Sequence, residues 1–226
     1  MGTDEAEVPA WRDTTRGEHR WPAVAVVVGT VALQLLLPDE LVVRPWWSLP
    51  AVTALLVVAL MLVNPGRVSK RTPVDRAIAL GVMAVVSIAN GASAVQLVSG
   101  IVDGAIVNRP GSVLLSGAIV YWTNIVAFSL WYWEFDRGGP GRRASGGARY
   151  PDLMFPQMAS PELAPKDWEP TYPDYLYLSF TNATAFSPTD VMPLRRWAKL
   201  TMMLQSAISL MIALLVVAWA VSALNS

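Results

Sequence analysis

The sequence predicts an all-α integral membrane protein, a helical bundle with about five transmembrane helices plus one short re-entrant or interfacial helix. Two observations predict this class. Hydrophobic residues make up 54% of the chain and charged residues only 15%, whereas soluble domains carry about 25% charged residues. The apolar residues are also concentrated in long segments. Because backbone groups in lipid must form hydrogen bonds within their own segment, we expect these segments to be helical.

Five apolar segments are candidates for membrane crossings. They are Trp21–Leu37, Trp46–Val63, Ala77–Val102, Ser112–Trp133 and Leu200–Leu224. A helix needs roughly 20 apolar residues to cross the hydrocarbon core. The last three segments exceed this length, and the first two are near the lower limit. Pro38, Pro45 and Pro50 favour a break between the first two, because proline disfavours a continuous helix.

The positive charges predict the orientation of the chain in the membrane. Of the 17 Lys and Arg residues, only Arg44 and Arg109 fall in the loops after the first and third segments. The positive-inside rule therefore places the N-terminus in the cytoplasm, for a protein of the cell membrane. Aromatic residues near the segment ends, such as Tyr132 and Trp133, are typical of interface anchors. The formal net charge is zero, so we predict the lipid bilayer and no nucleic acid as a partner.

The pattern divides the chain into four regions. We predict a mobile cytoplasmic tail over 1–20, a four-helix transmembrane region over 21–133, a Pro/Gly-rich cytoplasmic loop over 134–173, and a pore-loop-like helix with the final transmembrane helix over 174–226. Seven prolines in the loop predict irregular structure. Apolar residues between those prolines indicate that its second half packs on the cytoplasmic mouth of the bundle.

Neutral polar residues lie inside the apolar segments, and we interpret them as groups that pack helices together. The amides assigned to this role are Asn90, Gln96, Asn124 and Gln205. The third segment also carries a face of small residues, which allows close approach of another helix. These residues are Ala84, Ser87, Gly91 and Ala94.

The sequence predicts no catalytic residue, no metal site and no cofactor. The chain has no cysteine, and its single histidine, His19, lies in the N-terminal tail. Glu134, Asp136 and Arg137 follow the fourth segment, where a solvated helix end or a salt bridge is the favoured interpretation. An enzyme acting on lipid through Glu134, Asp136 or Asp190 is an alternative without a supporting group of residues.

The segment before the last span predicts a short amphipathic helix over Tyr175–Phe186, capped by Asp174 and ended by Ser187 and Pro188. The segment resembles the pore loop of potassium channels, whose pattern is Phe-x-x-x-Thr-Thr-Val-Gly-Tyr-Gly-Asp-x-x-Pro. The matching positions are Phe180, Thr184, Asp190 and Pro193.

The five filter positions, Ala185 to Thr189, contain no glycine, and Pro188 restricts the backbone, so a potassium-selective carbonyl ladder is not expected. The resemblance implies a re-entrant helix with a polar path. The residues that would line the path are Thr181, Asn182, Thr184, Ser187, Thr189 and Asp190. A pore made of one such loop per chain requires a homo-oligomer.

The C-terminal half, from YWTNIVAFSLWYWEFDRGGP to SFTNATAFSPTDVMPL, also resembles an uncharacterised family of bacterial multipass membrane proteins. That resemblance implies a membrane location and no mechanism. Two functions stay open: a multipass membrane protein of undetermined molecular function, and an oligomeric, channel-like pore protein with a degenerate pore loop.

Overall fold

The computed structural model describes residues 10–38, 41, 45, 47–63, 66–68, 72–103, 110–146, 150–184 and 190–224. Helices account for 77% of the described residues, and the strands among them are two short ones. The all-α class predicted from the sequence is therefore confirmed.

Each of the five apolar segments forms a helix. These helices are α1 (Trp21–Gln34), α2 (Ser48–Val63), α3 (Pro73–Val102), α4 (Pro110–Phe135) and, at the end of the chain, α8 (Arg196–Leu224). Helices α3, α4 and α8 are long and apolar enough to span a membrane. Helices α1 and α2 are apolar but shorter, with 14 and 16 residues. The long apolar helices indicate a membrane protein.

Helix α3 begins four residues before the apolar segment that predicted it, at a capping box. The Thr72 hydroxyl accepts a hydrogen bond from the backbone N–H of Asp75 at 3.2 Å, and the Asp75 carboxylate accepts one from the N–H of Thr72 at 3.2 Å. The two bonds satisfy orphan donors of the first turn, so local polar chemistry sets this end.

Residues 134–173 form several short elements instead of a wholly irregular loop. They are a 3-10 helix (Asp136–Gly138), α5 (Pro140–Ala144), β1 (Leu153–Met154), α6 (Pro156–Ala159) and a second 3-10 helix (Pro161–Leu163). Pro140, Pro156 and Pro161 each begin one of these helices. Proline is suited to that place, because the first N–H of a helix has no partner within it.

The short elements lie at one end of the bundle, together with the N-terminal residues. A 3-10 helix (Ala10–Arg12) precedes α1, and the backbone N–H of Thr15 donates to the carbonyl of Ala144 at 2.9 Å. Strand β1 pairs antiparallel with β2 (Met192–Pro193), which comes just before α8. We call residues 10–18, 136–146 and 150–168 the end layer. Residues 10–18 are therefore held against the bundle, in contrast to the predicted mobile tail.

Helix α7 (Tyr172–Thr184) enters the bundle from the end layer. Tyr172 packs edge-on against Trp133 with 5.8 Å between the ring centroids, and the Tyr121 hydroxyl donates to the carbonyl of Ala183 at 2.8 Å. Twelve residues of α4 separate Trp133 from Tyr121, about 18 Å at 1.5 Å per residue. Helix α7 therefore runs antiparallel to α4 along about 18 Å, and β2 returns the chain to the end layer.

Helix α7 begins three residues before the predicted start. Asp174 lies in its first turn, where its carboxylate accepts from the backbone N–H and the hydroxyl of Thr171 at 2.7 and 3.0 Å. Asp174 thus supports the start of the helix from within it, not from the position before it. Phe186, the predicted last residue, lies outside the described residues.

Candidate functional site

The centre of the bundle contains a hydrogen-bonded network around Gln205, which is fully buried. Its amide oxygen accepts from the Tyr132 hydroxyl at 2.7 Å and from the Asn182 amide at 2.8 Å. Its amide nitrogen donates to the carbonyl and hydroxyl oxygens of Ser179, at 2.9 and 2.7 Å. One side chain of α8 therefore joins α4 to α7 and satisfies three other buried polar residues.

Asn182 is committed to the same network. Its amide nitrogen also donates to the carbonyl of Met202 at 3.0 Å, and its amide oxygen accepts from the Ser206 hydroxyl at 3.3 Å. The buried face of α7 comprises Tyr172, Tyr175, Leu178, Ser179, Asn182 and Ala183. Asn182 thus faces α8 and the interior of the chain.

The other described residues of the predicted polar path form hydrogen bonds outside the Gln205 network. The Thr181 hydroxyl donates to the carbonyl of Tyr177 at 3.0 Å, and the Thr184 hydroxyl donates to the carbonyl of Thr181 at 3.0 Å. Asp190 is exposed and accepts from the Tyr177 hydroxyl at 3.5 Å. Ser187 and Thr189 lie outside the described residues.

A second polar chain crosses α3, α4 and α8. The Asn90 amide donates to the Asn124 amide oxygen at 3.3 Å, and the Asn124 nitrogen donates to the Ser209 hydroxyl at 2.9 Å. In this arrangement Asn90 presents Oδ1 as an acceptor. That atom is buried and has no partner among the described residues. Gln96 Oε1, also on α3, is likewise buried without one.

Asn90 lines a cleft of about 540 Å³ between α3, α4 and α8. Its walls are Ser87, Gly91, Ala94, Val95, Val98 and Ser99 from α3, Asn124, Ala127, Phe128 and Trp131 from α4, and Thr201, Leu204, Ile208 and Met211 from α8. A Cβ built on Gly91 would meet no atom within 4 Å. Three of the four small residues of α3 therefore line the cleft, although Ser87 accepts from the Trp131 indole of α4 at 3.0 Å and Ala94 is buried in the core.

A cluster of ionic residues joins the bundle to the end layer. Glu18 pairs with Arg143 at 2.8 Å and accepts from the Trp133 indole at 2.6 Å and from the backbone N–H of Tyr172 at 2.8 Å. The Arg143 guanidinium also donates to the carbonyl of Trp133 at 2.6 Å and lies 4.9 Å from the ring centre of Tyr175. One ion pair thus holds the N-terminal segment, α4, α5 and α7 together.

Asp136 is the second centre of this cluster and is fully buried. Its carboxylate accepts from the Tyr175 hydroxyl at 2.6 Å, from the backbone N–H groups of Asp152 and Leu153 at 3.2 Å each, and from Arg137 at 3.3 Å. Of the two interpretations favoured for this helix end, a salt bridge is the one observed, with Asp136 and Arg137 as its partners. Both of these residues are buried, and so is Glu134.

Burial sets the ionisation of the Glu18–Arg143 pair. Burial raises the pKa of Glu18, although the Arg143 charge and the donors Trp133 and Tyr172 lower it. Burial by itself would lower the pKa of Arg143, but Tyr175, Glu18 and Asp136 raise it, so the guanidinium stays charged.

Ser179, Glu18 and Arg143 were absent from the sequence-based candidates, whereas Asn182 was expected to line a polar path. Ser179 and Asn182 share a helical face with Tyr175 and Leu178, so helical periodicity could have paired them with the interior. Tyr132 was assigned to the membrane interface, but its hydroxyl is buried against Gln205. Nothing in the local sequence distinguishes Glu18, because its partner Arg143 is 125 positions away.

Comparison of the chain with protein-family models, curated proteins and solved structures finds no match.

Proposed function

We propose that the chain crosses the cell membrane five times, with the N-terminus and the end layer in the cytoplasm. The concentration of Lys and Arg before α1 and in the loops at the end-layer side supports this orientation. Exposed apolar side chains on α1 and α2, such as Val28 and Leu55, support contact of these two shorter helices with lipid as well. Helix α7 is then re-entrant, since it enters from the cytoplasmic side and the chain returns there.

Cysteine labelling in intact cells tests this topology, because the chain has no cysteine of its own. We expect a membrane-impermeant maleimide to label Leu36→Cys and Val102→Cys from outside, and to label Ser145→Cys only after permeabilisation. All three positions are described, and Leu36 and Val102 are 61% and 71% exposed. The reverse pattern contradicts the orientation. Failure to label Leu36→Cys, with Val102→Cys labelled, contradicts the crossing of α1 and α2.

Within this topology, the function that the geometry supports best is binding, not catalysis. We propose that the cleft between α3, α4 and α8 holds a lipid-derived molecule that carries a hydroxyl group. The observation behind the proposal is the buried, unpartnered Oδ1 of Asn90 on the wall of an otherwise largely apolar cavity. A buried acceptor without a donor costs about 1–3 kcal/mol, which a ligand hydroxyl would offset. The cavity volume of about 540 Å³ falls within the roughly 300–1,000 Å³ of ligand sites.

Photolabelling tests this binding site in the full-length protein. We expect diazirine-bearing hexadecanol to label peptides of α3, α4 and α8 saturably, in competition with unlabelled hexadecanol. Diazirine-bearing hexadecane lacks the hydroxyl and should label without saturation. Gly91→Phe fills the cleft and should abolish saturable labelling, and Asn90→Leu should weaken it. Ile88→Phe is the matched control, because Ile88 is exposed and is not among the cleft residues. Equal labelling by both probes contradicts the proposal.

A second candidate function is an oligomeric pore, favoured by the uncovered face of α7. Tyr177 and Phe180 are 55% and 47% exposed on this face, and Thr181 and Thr184 lie beside them half-buried. In a homo-oligomer this face would meet a central axis, with a loop that is not potassium-selective. Ion flux in liposomes that is altered by Asp190→Ala supports the pore. Absence of flux under gradients of K⁺, Na⁺ and Cl⁻ contradicts it.

A further inference from the structure

We propose a second binding site, in the end layer, that takes an extended peptide segment bearing a basic residue. The site is a cavity of about 570 Å³ between the N-terminal 3-10 helix and residues 157–168. It shares no residue with the cleft between α3, α4 and α8. Its existence does not depend on the proposed function, and only the side of the membrane on which the partner lies depends on the proposed topology.

Trp11 forms part of the wall of this cavity, and its ring is held in a fixed position. It is only 7% exposed, and its ring lies 4.6 Å from the guanidinium carbon of Arg12 and 5.6 Å from that of Arg137. Arg137 also donates to the Trp11 carbonyl at 2.6 Å. The indole is therefore held in place by two cations and its own backbone. Its Nε1 is buried and has no acceptor among the described residues.

Gln157 supplies a matching acceptor on the same cavity. Its Oε1 is buried and has no donor among the described residues. Buried polar atoms in folded proteins are nearly always paired, so two unpaired ones on one cavity indicate a missing ligand. One N–H donor and one C=O acceptor are the complement of a peptide main chain, which offers both groups.

The charges around the cavity indicate the sign of the ligand. Its lining includes three acidic residues, Asp13, Glu162 and Asp167, and one basic residue, Lys166. Arg12 beside the Trp11 ring adds one positive charge, and Arg137 is paired with Asp136, so the net charge around the cavity stays negative and favours a cationic partner. Pro161, Pro165 and the Trp168 ring give the walls rigid apolar surfaces, as in grooves that bind extended peptides. A peptide carrying Lys or Arg satisfies the donor, the acceptor and the charge together, whereas a free amine satisfies only the charge and the acceptor.

Indole NMR of the full-length protein in detergent micelles tests this site. The probes are an acetylated, amidated pentapeptide Ala-Lys-Ala-Lys-Ala, the same peptide with Glu in place of Lys, and spermidine. The Trp11 Nε1–H resonance is assigned by its loss in Trp11→Phe. We expect this resonance to shift saturably with the lysine peptide and to stay unchanged with the glutamate peptide and with spermidine.

Two variants test the proposed donor and acceptor by calorimetric titration with the lysine peptide, a readout that does not need the Trp11 resonance. Trp11→Phe retains a ring and removes the N–H, and Gln157→Leu removes the acceptor at similar volume. Each should weaken the lysine peptide roughly five- to tenfold, the effect of one hydrogen bond. Trp47→Phe, at an exposed indole outside the cavity, should leave the affinity unchanged.

Three results would overturn the proposal: no saturable shift with the lysine peptide, equal binding of the glutamate peptide, or equal binding of spermidine. The comparison of the three probes uses the unaltered protein, so it decides the question even where a variant fails to fold.

Discussion

At the scale of single residues, the polar side chains inside the bundle differ in whether they are satisfied. Gln205 forms four hydrogen bonds to three residues, whereas Gln96 has a buried amide oxygen without a partner among the described residues. Both residues lie in long apolar helices, and both were assigned to helix packing from the sequence. Replacing each glutamine by an apolar residue should therefore change the free energy of unfolding differently, because the cost of a buried polar group depends on its partners.

Replacement of Gln205 by Leu should destabilise the protein by about 1–3 kcal/mol for each buried group left unpaired. The groups concerned are the Tyr132 hydroxyl and the Asn182 amide. The matched control, Gln96→Leu, removes an unpaired acceptor and should be neutral or stabilising. Unfolding in mixed micelles by denaturing detergent measures both effects. Equal destabilisation by the two substitutions would show that the Gln205 network does not stabilise the fold.

Glu18 makes the stability of the end layer depend on pH. Since burial raises its pKa above the ordinary 4.5, folded Glu18 keeps a proton at a pH where the unfolded chain has lost it. The contribution of this group to the free energy of unfolding is thus full below pH 4.5 and falls as the pH rises through the raised pKa. Thermal melting between pH 4 and pH 8 should show this fall, and Glu18→Gln should flatten it. An unchanged slope in the variant would assign the pH dependence to other groups.

At the scale of elements, close packing of α4 against α8 depends on one glycine. A Cβ built on Gly117 would lie 2.7 Å from a methyl group of Val216, which requires the two helices to move apart or Val216 to shift. Gly91, on α3, has open space instead. Gly117 therefore permits a close contact between two helices, whereas Gly91 leaves open space on the cleft.

Gly117→Ala should cost about 1–3 kcal/mol of stability, because overpacking forces side chains or backbone to move. Gly91→Ala should be neutral or slightly stabilising, because alanine favours a helix and meets no neighbour. Melting temperatures of the two purified variants measure the difference. A larger loss of stability for Gly91→Ala than for Gly117→Ala would contradict this prediction. It would mean that Gly91 makes a close contact with something outside the described chain.

At the scale of the whole molecule, Asp136 joins the bundle to the end layer. It follows α4 directly and receives hydrogen bonds from β1 and from Tyr175 of α7. Strand β1 in turn pairs with β2, which leads into α8. Helix α7 is consequently fixed at its start by ionic contacts and along its length by the Gln205 network.

Asp136→Ala should release the end layer, because it leaves Arg137 and two backbone N–H groups without their buried acceptor. We expect a loss of about 3–5 kcal/mol, the typical effect of breaking a buried pair. Limited proteolysis should then cut within residues 150–170 faster than in the unaltered protein, with α3, α4 and α8 still protected. Asp103→Ala, at the opposite end of α3, serves as the control. Unchanged protection of residues 150–170 would show that the Asp136 carboxylate does not hold the end layer in place.

The sequence by itself determined the helical class and the position of all five apolar helices, because hydropathy and the needs of the backbone in lipid are local properties. It also indicated the short helix before α8, to within a few residues at its start. The end layer was harder to predict, since prolines that break long helices also begin short ones.

Only the tertiary structure decided which polar groups are satisfied. Gln205 meets Tyr132 across 73 positions, and Glu18 meets Arg143 across 125. Periodicity places a residue on a face of its helix but does not identify the neighbour of that face. For the same reason the unpartnered atoms of Asn90, Trp11 and Gln157, on which both proposed binding sites depend, become visible only when the whole chain is folded.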